Sequence, residues 1–229
     1  MSSKITIAID GFSSTGKSTL AKQLANKLGY VYVDTGAMYR AITFFAMQNG
    51  LVSDGFLNKE ALIKSLPNIQ LKFQFKSELG FAVILLNNVD VEKEIRKIEV
   101  SSFVSKIAEL AEVRQKLVEQ QQEMGKDKGI VMDGRDIGTV VFPDAALKIY
   151  MTASASTRAQ RRYDELTAKG DSVTYDEVYN NVVERDYIDT HRENSPLVKA
   201  TDAIEIDNSN MTREEQLTLV LNLVQKANS

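Results

Sequence analysis

The residues with the sharpest chemical meaning stand near the amino terminus. Gly11, Phe12, Ser13, Ser14, Thr15, Gly16, Lys17 and Ser18 fit G-x-x-x-x-G-K-[ST] at every fixed position. The glycines let the backbone curl until successive N–H groups point inward as a nest for an anion. A helix beginning near Lys17 adds its positive end to the same spot. Lys17 can reach the β- and γ-phosphates of a nucleotide, and the Ser18 hydroxyl can bind Mg2+. GTPases, ATPases and small-molecule kinases all carry such a loop, so it defines a ligand chemistry and leaves the reaction open.

What else could hold phosphate separates those classes. The chain has ten arginines against eighteen lysines, so the placement of arginine is informative. Planar guanidinium forks suit bidentate phosphate binding. Arg40 follows the Asp34-Thr35-Gly36 turn, and Arg135 sits in Asp133-Gly134-Arg135-Asp136. That second turn directly follows an apolar strand pattern, where ligands of open α/β sheets lie. Arg185, Asp189 and Arg192 share one face of a helix, and Arg158, Arg161 and Arg162 cluster on another. Arg161 and Arg96, taken alone, read as structural ion-pair residues. Asp34 and Asp133 end predicted strands, where a carboxylate either orients Mg2+-bound water or caps a turn.

Composition narrows the chemistry further. In 229 residues there is no cysteine and one histidine, His191, which removes thiolate catalysis, disulfides, zinc–thiolate sites and histidine clusters. His191 itself reads as a helix-surface residue. The net charge of −3 argues against a nucleic acid polymer as partner. The longest apolar run near the middle, Phe81 to Leu86, is far short of a membrane span, and the opening MSSKITIAID lacks a signal-peptide core. The expectation is a cytoplasmic protein with no membrane partner. A monomer is expected, because no large apolar face stands out.

The elements that must position these residues follow an α/β rhythm. Ile5 to Ile9 is a β-branched run ending at Asp10-Gly11. Leu20, Leu24 and Leu28 then mark an amphipathic helix stopped by Gly29. Tyr30 to Val33 and Thr35 to Asn49 repeat strand and helix, which predicts an α/β fold with a parallel sheet. Ile69 to Phe75 and Phe81 to Leu86, joined by Lys76 to Gly80, predict an antiparallel hairpin inserted in that pattern. The alternative is an edge hairpin on the main sheet. Lys93 to Lys116 is helical in pattern. Gly129 to Met132, Ala146 to Met151 and Ala203 to Ile206 read as further strands. Ser156 to Lys169, Tyr175 to Arg192 and Arg213 to Ala227 read as helices.

The loop, DTGAMYR (Asp34 to Arg40), DGRDIGTVVFPDA (Asp133 to Ala145) and ERD…D..R…SPL (Glu184 to Leu197), in that order, resemble the bacterial-type cytidylate kinase family of nucleoside monophosphate kinases. The resemblance runs over essentially the whole chain, including the hairpin and the closing AIEIDNS. It implies an adenylate-kinase-like P-loop core spanning 1–229, an inserted monophosphate-side subdomain at 57–91 and a mobile helical lid at 154–172. It implies phosphoryl transfer from ATP to CMP or dCMP with Mg2+. Its phosphate-binding arginines match Arg40, Arg135 and Arg192. Its cytosine contacts match Ser105, Arg114 and Asp136, and its sugar contacts Tyr39, Arg185 and Asp189. Thr35 keeps a family hydroxyl. Lys17 and the lid arginines Arg158 and Arg162 join Arg135 and Arg192 as the catalytic cations. Thr19 and the Asp207 to Ser209 loop belong to the ATP side. Phe12 stands where many relatives have proline, from which only a local change in loop stiffness is expected.

The chemistry is coherent without the resemblance. A phosphate acceptor is already a nucleophile at neutral pH, so positioning and charge neutralisation suffice and no histidine or cysteine is needed. A kinase acting on another nucleoside monophosphate, and a nucleotide switch without turnover, are the competing readings. The chain lacks the guanine-reading N-K-x-D of a switch.

Overall fold

The computed structural model describes residues 4–53, 55–76, 78 and 81–228. Along the chain run β1 (Thr6–Gly11), α1 (Lys17–Leu28), β2 (Val31–Asp34), α2 (Thr35–Gln48), β3 (Val52–Ser53), β4 (Phe56–Leu57), α3 (Lys59–Ser65), β5 (Leu71–Lys76), β6 (Phe81–Leu86) and β7 (Val89–Asp90). There follow α4 (Ile98–Ala108), α5 (Ala111–Met124), β8 (Ile130–Gly134), β9 (Leu147–Thr152), α6 (Ala155–Ala168), α7 (Tyr175–His191), β10 (Ile204–Asp207) and α8 (Arg213–Ala227). The chain divides into two compact units, Met1–Tyr32 with Gly125–Ser229, and Val33–Met124.

The first unit is built on the parallel sheet, whose strand order is β10-β9-β1-β8-β2. Strand β1 lies at its centre, pairing in parallel with β8 (Ala8 opposite Met132) and with β9 (Ala8 opposite Lys148). It is buried on both faces, which is why its sequence is a continuous apolar run and not an alternating one. Leu20 and Leu24 of α1 pack with Ile7, Ile9, Ile149, Val220 and Val224 in one core. Gly29 ends α1 in the left-handed conformation at φ 66°, as the sequence predicts. A smaller cluster of Ala159, Leu166, Val178 and Val182 joins α6 to α7. α7 and α8 each begin with a reciprocal capping box, Thr174 with Glu177 and Thr212 with Glu215.

The second unit packs α2 against α4 and β6 through Met38, Ile42, Ile84, Ile95, Ile107 and Leu117. The predicted hairpin is present, with Phe73 opposite Ile84 in an antiparallel ladder. With β7 it makes a three-stranded sheet of its own, so it is not an edge of the main sheet. Of its expected joining loop, Lys76 to Gly80, Ser77, Leu79 and Gly80 lie outside the described residues. The helical stretch expected over Lys93 to Lys116 is corrected. A short 3-10 turn at Glu94–Arg96 precedes α4, and the chain breaks at Glu109-Leu110 before α5. Leu110 is buried at the break, and the Arg114 guanidinium donates 3.1 Å to the Ala108 carbonyl, satisfying an acceptor that the helix end exposes.

Candidate active site

Residues Gly11 to Ser18 form the turn between β1 and α1. Gly11 has φ 141°, and a Cβ there would stand 2.0 Å from the Met151 carbonyl oxygen, so only glycine lets β1 end against β9. Ser14 and Gly16 also take positive φ, 60° and 87°, which produces the curl of an anion nest. Lys17 begins α1 and is buried. Its ammonium group donates to the Phe12 carbonyl and lies 3.4 Å from Thr15 Oγ1, so the side chain folds back over the loop. Burial, with Arg135 adding to it, lowers the Lys17 pKa to about 7, against the opposing pull of Asp133, Asp10 and Asp189.

Ser18 Oγ donates 2.9 Å to Asp133 Oδ2 at the end of β8, and the Tyr32 hydroxyl donates 2.8 Å to Asp133 Oδ1. Thr19, the next residue of α1, is exposed. Phe12 does more than alter loop stiffness. The Arg158 guanidinium lies 5.0 Å from the Phe12 ring centroid, and Tyr150 meets that ring edge-on at 6.2 Å. Arg158 also donates 3.2 Å to the Ser13 carbonyl and 2.9 Å to the Ala153 carbonyl, and forms a fork to Asp186. Arg162, a turn further along α6, pairs with Glu165 at 3.1 Å.

Beyond β8 the chain enters a wide turn at Ile137–Val141, where Phe142 N–H reaches back five residues to the Ile137 carbonyl. Such insertions often mark functional sites. Asp136 is buried at its start. Arg135 Nε donates 2.7 Å to Asp189 Oδ2 on α7. Arg192 NH1 lies 3.9 Å from Asp189 Oδ1, and the same guanidinium donates 2.9 Å and 2.7 Å to the Ser195 carbonyl. Burial pushes the Asp189 carboxyl up, but Arg135, Arg185 and Arg192 outweigh it and hold it below the usual range. The predicted face of α7 is therefore real: Arg185, Asp189 and Arg192 converge, and Arg135 joins them from 54 residues away. His191 is exposed and stacks on Tyr187, ring centroids 4.2 Å apart.

Within the second unit, Asp34 caps α2, accepting 2.9 Å from Ala37 N–H, which is the capping reading of the two open for it. The same carboxylate accepts 2.9 Å bonds from both Arg40 and Arg96. Burial raises its pKa, yet the two arginines win and hold it well below the carboxylate range. Glycine at 36 leaves room for the Arg40 guanidinium, which a Cβ there would approach to 3.0 Å. Thr35 and Ser105 are buried on α2 and α4. The Arg114 guanidinium sits 5.5 Å from the Tyr39 ring centroid, so these two expected contacts meet.

Two residues make contacts that the sequence reading did not foresee. Asn208 lies between Asp207 and Ser209 and is buried. Its amide donates 2.6 Å to the Thr15 carbonyl, and its oxygens accept from Arg161 at 3.0 Å and 2.8 Å. Arg161, expected as an ion-pair residue, donates instead to Asn208, whose amide ties this loop to the phosphate loop. Ser209 donates 2.6 Å to Asp207 and accepts 3.1 Å from Ser154 N–H. The D-N-S tripeptide after β10 was the available signal. The second of these residues, Asp10, is taken up below.

A curled glycine-rich loop opening a helix at the end of a parallel strand defines a P-loop protein, one built to bind nucleotide phosphates. Residues 7–226 match the cytidylate kinase family. The chain is 73% identical over 221 residues to the cytidylate kinase of Flavobacterium johnsoniae, covering 96% of each protein. It is 58% identical over 213 residues to that of Phocaeicola vulgatus, covering 93% of each. An uncharacterized protein from Eubacterium ventriosum shares the fold at a TM-score of 0.51 and 11% identity, covering 98% of this chain and 99% of that one. The chain belongs to the cytidylate kinase family. No helix among the described residues is long and apolar enough to cross a membrane.

Proposed function

We propose that this enzyme transfers the γ-phosphoryl group of ATP to CMP or dCMP, giving ADP and CDP or dCDP. The observation that carries the reading is a buried ammonium, Lys17, with the half-buried Arg135 guanidinium beside it. Arg135 stands close enough to Lys17 to help lower its pKa, an arrangement that is costly until a polyanion occupies it. An acceptor phosphate oxygen attacks the γ-phosphorus and the bond to the β-bridging oxygen breaks, with the charge passing to ADP. No general base is required. Gly11 to Ser18 bind the donor phosphates, Lys17, Arg158 and Arg162 neutralise the transferring group, and Arg135, Arg40 and Arg192 hold the acceptor phosphate. Thr35, Tyr39, Arg185 and Asp189 serve the acceptor's phosphate and sugar, and Ser105, Arg114 and Asp136 its base. Thr19, Asp207 and Ser209 complete the ATP side. Residues 57–91 act as the monophosphate-side insert and 154–172 as the lid.

The oxygen donors near the loop suit Mg2+. Ser18 and Asp133 converge within 2.9 Å, and no group of three or more acidic or histidine side chains collects among the described residues. A cation that keeps most of its waters and leans on phosphate fits such a set. The chemistry Mg2+ would supply there is neutralisation of phosphate charge. Ser18 would ligate it directly and Asp133 would hold its water. Ser18→Ala is therefore expected to raise the Mg2+ concentration for half-maximal turnover about tenfold. A magnesium titration at fixed ATP with no shift would remove Ser18 from that role.

A coupled assay of ADP release with CMP, dCMP, UMP and AMP tests the reading. Turnover preferring UMP or AMP would defeat it, as would tight ATP binding with no turnover at all. The base-reading assignment has its own test. Cytosine offers an exocyclic amine where uracil offers a carbonyl, so the Asp136 carboxylate accepts from the first and repels the second. Asp136→Asn, which can donate as well as accept, should lower CMP-over-UMP selectivity about tenfold or more. Unchanged selectivity would take Asp136 out of base recognition.

A further inference from the structure

Asp10 directly precedes the phosphate loop, and none of the roles above uses it. Its side chain is buried, and both carboxylate oxygens are engaged by the same distant segment. Ile137 N–H donates 2.8 Å to Oδ1 and Gly138 N–H donates 2.7 Å to Oδ2. These are the first two amides of the wide turn Ile137–Val141, whose leading residue Asp136 supplies no side-chain cap. Such a start leaves backbone donors without partners inside the turn. Here the acceptor comes from β1 instead, 127 and 128 residues away. The approach is close: a Cβ on Gly138 would come within 3.3 Å of Asp10 Oδ2 and 3.2 Å of Lys148 Cδ.

The consequence is positional. Arg135 and Asp136 immediately precede the gripped amides, and Gly11 immediately follows Asp10. We infer that Asp10 is a positioning residue: its carboxylate locks the turn carrying Arg135 and Asp136 to the strand that launches the phosphate loop. Arg135 and Asp136 thereby keep a fixed spacing from Lys17 and the loop amides. The function of the lock rests on the roles given above to Arg135 and Asp136. The grip itself does not. A carboxylate is required because an amide of the same shape accepts only one of the two N–H groups and turns its own donor towards the other. Burial raises the Asp10 pKa to about 7, against the two backbone amides, which favour the ionised form.

The test is Asp10→Asn. Its kcat/KM for CMP should fall about tenfold or more, the scale of one charge-assisted hydrogen bond. Its Kd for ATP, read by calorimetry, should stay within about threefold. Hydrogen exchange reads the grip without turnover: the amides of Ile137 and Gly138 should be protected in the wild-type chain about as well as those of Ile7 and Ile9. They should exchange about tenfold faster in the variant, while Ile7 and Ile9 do not change. An unchanged CMP efficiency in a folded variant, or equal losses for ATP and CMP, overturns the inference. Free exchange of the two amides in the wild type overturns it too, and that measurement stands even if the variant does not fold. A wild-type chain that ignores CMP would instead defeat the proposed reaction, leaving the exchange result to decide on the grip.

Discussion

Lys17→Met should lower kcat by about two to three orders of magnitude, the usual result of removing one preorganised donor from a developing charge. Lys17 is buried, and its ammonium group folds back onto the Phe12 carbonyl of the loop. Its position costs the free protein something, since burial and Arg135 lower its pKa to about 7. A polyphosphate reverses that balance by adding negative charge beside it. At pH 8 the free side chain is mostly neutral, and nucleotide binding should charge it. ATP binding at that pH should therefore take up close to one proton, about the fraction left uncharged one unit above the pKa. The readout is the dependence of calorimetric enthalpy on the ionisation enthalpy of the buffer. Asp10, raised to about 7, is largely ionised at pH 8 and contributes less. Lys17→Met should abolish most of the uptake along with turnover. A variant that retains turnover within about threefold would show that Lys17 does not meet the transferring group. A buffer-independent enthalpy in the wild type would show that its charge does not change on binding.

What the sequence disclosed follows the range of the interactions concerned. The strand–loop–helix of the phosphate site is specified within about twenty residues by glycine spacing, a β-branched run and leucines four apart, and it stands where those signals place it. The hairpin at Leu71–Lys76 and Phe81–Leu86 was legible from alternation. The face shared by Arg185, Asp189 and Arg192 was legible from helical spacing, but Arg135 docking on it was not, because nothing local to DGRD points to α7. The grip of Asp10 on Ile137 and Gly138 and the reach of Asn208 to Thr15 span 127 to 193 residues and exist only once the sheet has ordered. The wide turn at Ile137–Val141 was masked for a related reason. Its residues, IGTVV, have a strand-like composition, and tertiary contacts override that preference. The break between α4 and α5 lacks proline or glycine, so periodicity alone ran across it.

Arg135→Ala is expected to cut kcat/KM for CMP by about tenfold to a thousandfold, spanning the loss of one charge-assisted hydrogen bond to that of a transition-state donor. ATP affinity should stay within about threefold. The separation follows from position. The loop amides, Lys17 and Ser18 do not depend on Arg135 for their geometry, whereas the Arg135 fork is aimed by Asp189 at 2.7 Å and by the turn that holds Asp136. Truncation leaves Asp189 buried, but Arg192 at 3.9 Å and the charge of Arg185 remain to balance it. The fold should therefore survive with a lowered Tm, unlike a buried pair broken down to an isolated charge. Two further variants divide the roles of charge and shape. Arg135→Lys keeps the charge and loses the fork, so it should recover only part of the efficiency. Asp189→Asn keeps the fork and loosens its aim, so KM for CMP should rise more than kcat falls. A loss for CMP below about threefold in Arg135→Ala would remove the residue from phosphate binding. Equal losses for ATP and CMP would place its effect on the loop, through the repulsion it exerts on Lys17.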